Sequence, residues 1–170
     1  MSVVSSNLPV NYKVFSVMLF TLVLTACGFQ LRGNYLLDPE LQHLNVSSVD
    51  RYGELTRLTI QHLQRNQVTV AKQFDNTLPE LRILKDTLDR RTLSVFANGQ
   101  VAEYELIYTV NYQLRFKEQD PLDFRFELNR DYQDDPDIAL AKSRELSMML
   151  KEMRIEAADK ILRNMASIQR

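Results

Sequence analysis

The sequence of 170 residues contains one cysteine, two histidines, no tryptophan and four glycines, and the low counts of cysteine, histidine and glycine exclude several classes of protein. A single cysteine cannot form an intrachain disulfide, and Cys27 with the distant His43 and His62 cannot supply a Cys/His zinc site. Few glycines and only five prolines argue against a low-complexity or disordered chain. A formal net charge of −1 leaves no basic excess for phosphates along a duplex, so we expect no nucleic-acid partner.

Catalytic motifs are also missing from the sequence. It contains no nucleophile-elbow serine, zinc-protease histidine pair, phosphate-binding loop or dinucleotide-binding glycine pattern. His62 falls on the apolar side of a predicted helix, where a histidine at the edge of the core is a simpler interpretation than a catalytic base. The acidic run at residues 131–137 lacks the central glycine and closing glutamate of a calcium-binding loop. We therefore predict a protein that is not an enzyme and binds no metal.

The first 26 residues have the features of an export signal. Residues 14–24 carry no charge, follow Lys13 and precede the small residues Thr25 and Ala26. This apolar run is shorter than the roughly 20 residues that a membrane-spanning helix needs. We interpret residues 1–26 as a signal peptide that is removed during export.

The predicted cleavage point has the form of a lipobox, Leu-Thr-Ala-Cys at residues 24–27, in which the cysteine becomes the lipidated amino terminus. A chance cysteine or a small buried hydrophobe is the alternative. We expect Cys27 to carry an N-acyl chain and an S-diacylglycerol, and no other cofactor. Three acyl chains exceed the two anchoring signals that stable membrane attachment requires. In such lipoproteins an aspartate after the cysteine favours the inner membrane, so Gly28 favours the periplasmic side of the outer membrane.

The exported chain divides into a lipidated tether at residues 27–40 and one domain at residues 41–170. The first half of the domain alternates short strands with a helix. The pattern predicts a strand near residues 44–49, a helix near residues 54–66 that Asn66 ends in a left-handed conformation, and a brief strand near residues 68–71.

A β-meander follows in the middle of the domain. Residues 81–96 are extended, with changes of parity that indicate one or two bulges. The pair Asn98-Gly99 predicts a type I′ turn, because both residues tolerate positive φ. Apolar and polar residues then alternate through residues 104–117, and a last strand includes residues 124–129.

A long helix completes the domain. Asp135 and Pro136 have the properties of an N-cap and a first helical residue, and apolar residues recur at steps of three and four to the end of the chain. The element order βαβ-βββ-α predicts an α+β fold. It is a two-layer sandwich with a mostly antiparallel sheet of about four to five strands and two helices on one face.

Four cations are candidates for anion binding: Arg90 and Arg91 near the hairpin, Arg130 at the end of the last strand and Lys142 in the second turn of the final helix. We expect the connectivity to bring some of them near the same end of the sheet. Arginine binds phosphate through a planar fork of donors, and lysine adds a compact charge. Ordinary solvated surface charge is the alternative for each of them.

Three segments carry a resemblance to a known family. They read Cys-Gly-Phe-Gln-Leu-Arg-Gly at residues 27–33, Ser-Val-Phe-Ala-Asn-Gly-Gln-Val-Ala-Glu-Tyr at residues 94–104 and Ala-Leu-Ala-Lys at residues 139–142. Together they resemble the lipopolysaccharide-assembly lipoprotein family (LptE). The resemblance implies an outer-membrane lipoprotein that plugs the lumen of a β-barrel partner (LptD) in a one-to-one complex. It also implies help in assembling that barrel and in delivering lipopolysaccharide to the cell surface.

The resemblance also indicates candidate contacts. Family members can carry a cation just before the Asn-Gly turn, but this chain has Ala97 there. We therefore expect lipopolysaccharide to contact Arg90, Arg91, Arg130 and Lys142, and the barrel to contact the tip residues. The tip residues are Phe96, Asn98, Gly99 and Gln100. A free-standing periplasmic lipid-binding lipoprotein is the rival hypothesis, and it requires an apolar cavity between sheet and helices.

Overall fold

A computed structural model describes residues 37–50 and 52–168, which form two helices and a five-stranded sheet. The elements in chain order are β1 (His43–Ser48), α1 (Glu54–Arg65), β2 (Thr69–Val70), β3 (Glu80–Val95), β4 (Val101–Arg115), β5 (Leu122–Gln133) and α2 (Ala139–Ala166). Short 3₁₀ turns at Pro39–Gln42 and Pro136–Ile138 precede β1 and α2. The predicted signal peptide, Cys27 and most of the predicted tether lie outside the described residues.

The sheet has the strand order β2-β1-β3-β4-β5. Strand β1 pairs in parallel with both β2 and β3, whereas β3, β4 and β5 form an antiparallel meander. Parallel neighbours require a crossover connection, which α1 supplies between β1 and β2. The predicted α+β sandwich is confirmed, and its sheet is mixed.

The core lies between one face of the sheet and the two helices. Tyr112 and Leu114 of β4 are buried there, as are Leu81 and Ile83 of β3. Both helices contribute apolar side chains: three leucines from α1, which are Leu55, Leu58 and Leu63, and six residues from α2, which are Met153, Ala157, Ala158, Ile161, Leu162 and Met165. Leu37 and Leu41, which precede β1, are also buried in this core. The 3.6-residue periodicity in the sequence therefore identified the core-facing side of each helix.

The end of α1 differs from the prediction by one residue. Asn66 has a φ of −92°, and its side chain donates to the His62 carbonyl at 2.8 Å. Gln67 instead takes the left-handed conformation, with a φ of 64°. The Asn66 side-chain bond favours a helical φ at that position, so the chain reverses one residue later.

The beginning of α2 also differs from the prediction. The Asp135 side chain accepts a hydrogen bond from the Asp137 amide at 3.0 Å, as an N-cap does. That cap belongs to the 3₁₀ turn, and the α-helix begins at Ala139. In the described part of the chain, no helix combines the length and the apolar character needed to cross a bilayer.

Candidate functional site

The β3–β4 hairpin extends beyond the helices, and this hairpin end (residues 89–103) carries most of the predicted site. Leu81 and Ile83 at the start of β3 are buried, whereas residues 89–93 are all exposed. Side chains at the hairpin end therefore contribute little to the core and are available for contacts outside the domain.

The turn of the hairpin has three residues rather than two. The Phe96 amide donates to the Gln100 carbonyl at 2.8 Å, and the Gly99 amide donates to the Phe96 carbonyl at 2.9 Å. Gly99 has a φ of 82°, and Asn98 is not among the non-glycine residues with positive φ in the described chain. The predicted type I′ turn is wrong, because in a three-residue loop only the last residue takes the left-handed conformation. The Phe96 side chain is 45% exposed beside this turn.

A bulge in β3 decides which cations share a face. The register shifts between Ile83 and Lys85, so Leu84 has no partner on β4. Arg90 pairs with Leu106 of β4, and Leu106 pairs with Arg130 of β5. Residues opposite each other in a sheet share a face, and Leu106 is buried beneath the helices, so both arginines lie on the helix side. The predicted bulges in β3 are confirmed.

Arg91 lies on the other face of the sheet. It is opposite Glu105 and forms an ion pair with that carboxylate. Asn129 of β5 donates to the same glutamate at 3.0 Å. Arg91 is therefore separated by the sheet from Arg90, Arg130 and Lys142.

Arg90 is the most available of the three helix-side cations. Its guanidinium carbon lies 5.9 Å from the centre of the Tyr104 ring, a cation–π contact. No carboxylate among residues 37–50 and 52–168 is within 4.0 Å of its guanidinium. Its charge is free to attract an anion from solution.

Arg130 connects β5 to α2. Its guanidinium bonds Glu152 at 2.7 Å and Glu156 at 3.2 Å, and its side chain is 34% exposed. Burial disfavours its charge, but the two carboxylates outweigh this effect and raise the pKa of Arg130. With both terminal nitrogens bonded to carboxylates of α2, Arg130 mainly holds the helix on the sheet and adds charge at longer range.

Lys142 lies in the first turns of α2, at the end of β5. Its ammonium is 2.9 Å from Glu145 and 5.3 Å from the centre of the Tyr132 ring. The hydrogen bond that the ammonium donates to Glu145 raises the pKa of Lys142, so the side chain stays charged. The Tyr132 hydroxyl donates to the Lys142 carbonyl at 3.0 Å and fixes this turn of the helix.

Exposed apolar side chains lie close in sequence to Arg90 and Lys142, and the sequence analysis did not identify most of them. Leu93 and Val95 precede the turn, and Ile138 and Leu140 lie where α2 begins; all four are about half exposed or more. A cavity of about 530 Å³ between these segments is lined by Phe96, Ile138 and Lys142 together with acidic residues. The acidic residues are Glu103, Asp134 and Asp135. Ile138 and Leu140 could have been found, because they interrupt a polar stretch before the apolar stripe of α2.

The hairpin end has the charges and the exposed apolar side chains of a binding surface. Among residues 37–50 and 52–168, no three His, Cys, Asp or Glu side chains form a group that could hold a metal ion. Burial lowers the pKa of His62, which lies on α1 away from the hairpin end. Cations with exposed apolar neighbours fit a ligand that is both anionic and apolar.

Comparisons with known proteins identify the family. A family model described as LptE, lipopolysaccharide-assembly, matches residues 41–165. The LPS-assembly lipoprotein LptE of Yersinia enterocolitica is 38% identical over 148 residues, 86% of this chain and 72% of that relative. The protein of the same name from Photorhabdus laumondii is 34% identical over 150 residues, 88% of this chain and 82% of that relative.

The fold agrees with these sequence matches. The crystal structure of the rare lipoprotein B from Shewanella oneidensis superposes with a TM-score of 0.68 and 48% sequence identity. The match covers 74% of this chain and 94% of the Shewanella chain. A family match over most of the domain and a shared fold lead to one conclusion: the chain belongs to the LptE lipopolysaccharide-assembly family.

Proposed function

We propose that this chain is an outer-membrane lipoprotein that plugs the lipopolysaccharide-translocating β-barrel LptD and helps to assemble it. In this proposal it binds lipopolysaccharide during delivery to the cell surface and acts by contact, not by catalysis. Membership in the LptE family and the printed names of its relatives support a role in lipopolysaccharide assembly.

The observation that carries the proposal is the composition of the hairpin end. Lipid A has phosphate groups beside acyl chains, so its receptor needs cations next to apolar surface. Arg90 and Lys142 supply the cations on the helix side, and Phe96 and Ile138, which line one cavity with Lys142, supply apolar surface. Arg91 lies on the opposite face, so a phosphate that contacts Arg91 belongs to a different lipopolysaccharide molecule from one that contacts Arg90 and Lys142.

The rival hypothesis of a free-standing lipid carrier finds less support in the fold. A lipid carrier of this architecture needs an open apolar cavity between sheet and helices. Tyr108, Tyr112, Leu114, Met153 and Ile161 fill that space, and each is no more than 1% exposed.

The test is purification of the tagged, full-length protein from outer membranes in mild detergent. We expect one copy of the barrel for each copy of the lipoprotein, and a photoreactive residue at Phe96 should crosslink to the barrel. Cys27→Ala should instead accumulate as unprocessed precursor, because lipidation needs the thiol. A lone processed monomer without the barrel would contradict the proposal.

A further inference from the structure

The sheet has two outer edges, and they are built differently. On β5 the backbone groups of every second residue, including Arg125, Glu127 and Asp131, point away from β4. Their side chains are charged, and Lys160 donates to the Glu127 carbonyl at 3.5 Å. Charged side chains and an occupied carbonyl are the means by which proteins prevent unwanted strand pairing at an edge.

The outer edge of β1 has no comparable protection. Strand β2 is two residues long and pairs only with His43 and Leu44. The amides of Asn45 and Val49 donate to carbonyls on the β3 side, at 2.8 and 3.1 Å. Because backbone direction alternates along a strand, the N–H and C=O groups of Val46 and Ser48 point outward. Within the described chain, no hydrogen bond to those outward groups is formed.

A groove of about 390 Å³ follows this unpaired edge. Its second wall is formed by Thr56 and Ile60 of α1 and by the segment that leaves β2. That segment turns away from β1 after Ala71 and returns where Asn45 bonds both the carbonyl and the amide of Asp75, at 2.7 and 3.0 Å. Both polar ends of the Asn45 side chain hold the segment clear of the edge.

The groove has one closed end and one open end. The Ala71 amide donates to the Leu44 carbonyl at 3.0 Å, so β2 occupies the edge at the closed end. Lys72 follows directly and is the only charged side chain that lines the groove in the described residues. Beyond Ser48, where the groove opens, the next residue Val49 is 71% exposed, and Phe74, which lines the groove, is 64% exposed.

We propose that the β1 edge binds an extended peptide segment of the barrel partner, which adds to the sheet as a short strand beside Val46 and Ser48. Unpaired backbone groups at a sheet edge recognise another backbone, which makes a peptide the fitting occupant. The positive charge of Lys72 at the closed end selects a segment with a carboxylate there. This inference rests on the proposed function for the identity of the partner, but it concerns a surface at the other side of the domain from the hairpin turn.

Proline substitution tests strand addition directly, because proline removes one N–H and is tolerated where that N–H does not serve the sheet. Ser48→Pro should lower the amount of barrel that co-purifies about three- to tenfold, the loss of roughly one hydrogen bond. Ser48→Ala keeps the amide and should leave recovery unchanged. Asp131→Pro, which removes an outward amide from the β5 edge, is the matched control and should also leave recovery unchanged. Equal losses with Ser48→Pro and Asp131→Pro, or no loss with Ser48→Pro, would overturn the proposal.

Crosslinking identifies the occupant. In the full-length complex, a photoreactive residue at Val49 should crosslink to a barrel segment that contains an acidic residue, and Lys72→Glu should reduce that crosslink. A crosslink from Val49 to residues 27–36 of the same chain would overturn the proposal, because the tether would then fill the groove. Crosslinking from Phe96 but not from Val49 would reject this site and leave the plug function intact. Absence of any barrel from the purified material would reject both.

Discussion

The helix-covered part of the sheet and the hairpin end are continuous along β3 and β4, yet they have opposite characters. Near the start of β3, Leu81 and Ile83 lie beneath α1 and α2 and are almost fully buried. Twelve residues further along the same strand, Leu93 and Val95 are about half exposed. One pair of strands thus supplies stability at one end and a surface for other molecules at the other.

A polar cluster marks the boundary between the two regions. The Tyr108 hydroxyl donates to Asp86 at 2.6 Å, and Arg154 of α2 bonds Glu54 of α1 at 2.6 Å. The Arg154 Nε is 3.9 Å from the same Asp86 carboxylate. These contacts join both helices to the sheet where α1 begins, whereas α2 extends further along the sheet, to Lys142 beside Tyr132.

The largest effect should come from removing a core side chain. Leu114→Ala should lower the free energy of unfolding by about 2–5 kcal/mol, because a cavity remains beneath the helices. Val95→Ala at the hairpin end should change it by less than about 0.5 kcal/mol. Urea denaturation followed by circular dichroism measures both values. Similar losses for the two variants would remove the distinction between the regions.

Alkaline pH should destabilise the helix-covered region. Burial raises the pKa of Tyr112 to about 12, although the hydrogen bond from Asn164 acts in the opposite direction. The folded protein therefore retains a proton that the unfolded chain loses near pH 10, so this residue's contribution to stability is constant below pH 10 and is lost as the pH rises toward 12. The full fall is on the order of 2–3 kcal/mol from this residue. Burial also raises the pKa of Tyr108, which adds to the fall.

Denaturation at pH 8 and at several values above 10 measures this dependence. Tyr112→Phe removes one ionisable group and should flatten the alkaline fall without abolishing it. An alkaline fall in Tyr112→Phe as steep as in the parent protein would show that this hydroxyl is not the titrating group.

A smaller effect is expected at the hairpin turn. Gly99→Val should cost about 1–2 kcal/mol, because a β-branched residue is strained at the φ of 82°. Asn98→Val should cost less, about 0.5–1 kcal/mol, because it loses the hydrogen bond that its side chain accepts from the Gln100 amide but does not require positive φ. The two midpoints of urea denaturation give the comparison. Equal losses of stability in the two variants would contradict the three-residue turn and indicate the two-residue type I′ turn.

Periodicity in the sequence predicted most elements of the fold, but not the faces of the candidate cations. Arg90 and Arg91 are neighbours in a strand, so alternation alone places them on opposite faces. Without the bulge at Leu84, Arg91 would share the face of Leu81 and Ile83. The position of a bulge depends on cross-strand packing, which the sequence of one strand does not contain.

The sequence analysis also did not predict the unpaired edge of β1. A brief strand was predicted near residues 68–71, and β2 is Thr69–Val70. Whether that strand covers four residues of β1 or two depends on where the segment after it turns away. That turn is set by the bonds between Asn45 and Asp75, which are 30 positions apart. Contacts between distant residues leave no periodic pattern to detect.

The central claim is that lipopolysaccharide binds at the hairpin end on the helix side. The most direct measurement is retention of labelled lipopolysaccharide at low salt by two double variants with the same change in charge. Arg90→Asp with Lys142→Asp should bind at least about tenfold more weakly, because charged contacts to phosphate are lost and repulsion replaces them. Arg115→Asp with Lys117→Asp, at the opposite end of β4, should bind like the parent protein, and each pair should leave circular dichroism unchanged. Equal retention by both double variants, or a greater loss with Arg115 and Lys117 changed, would contradict the claim.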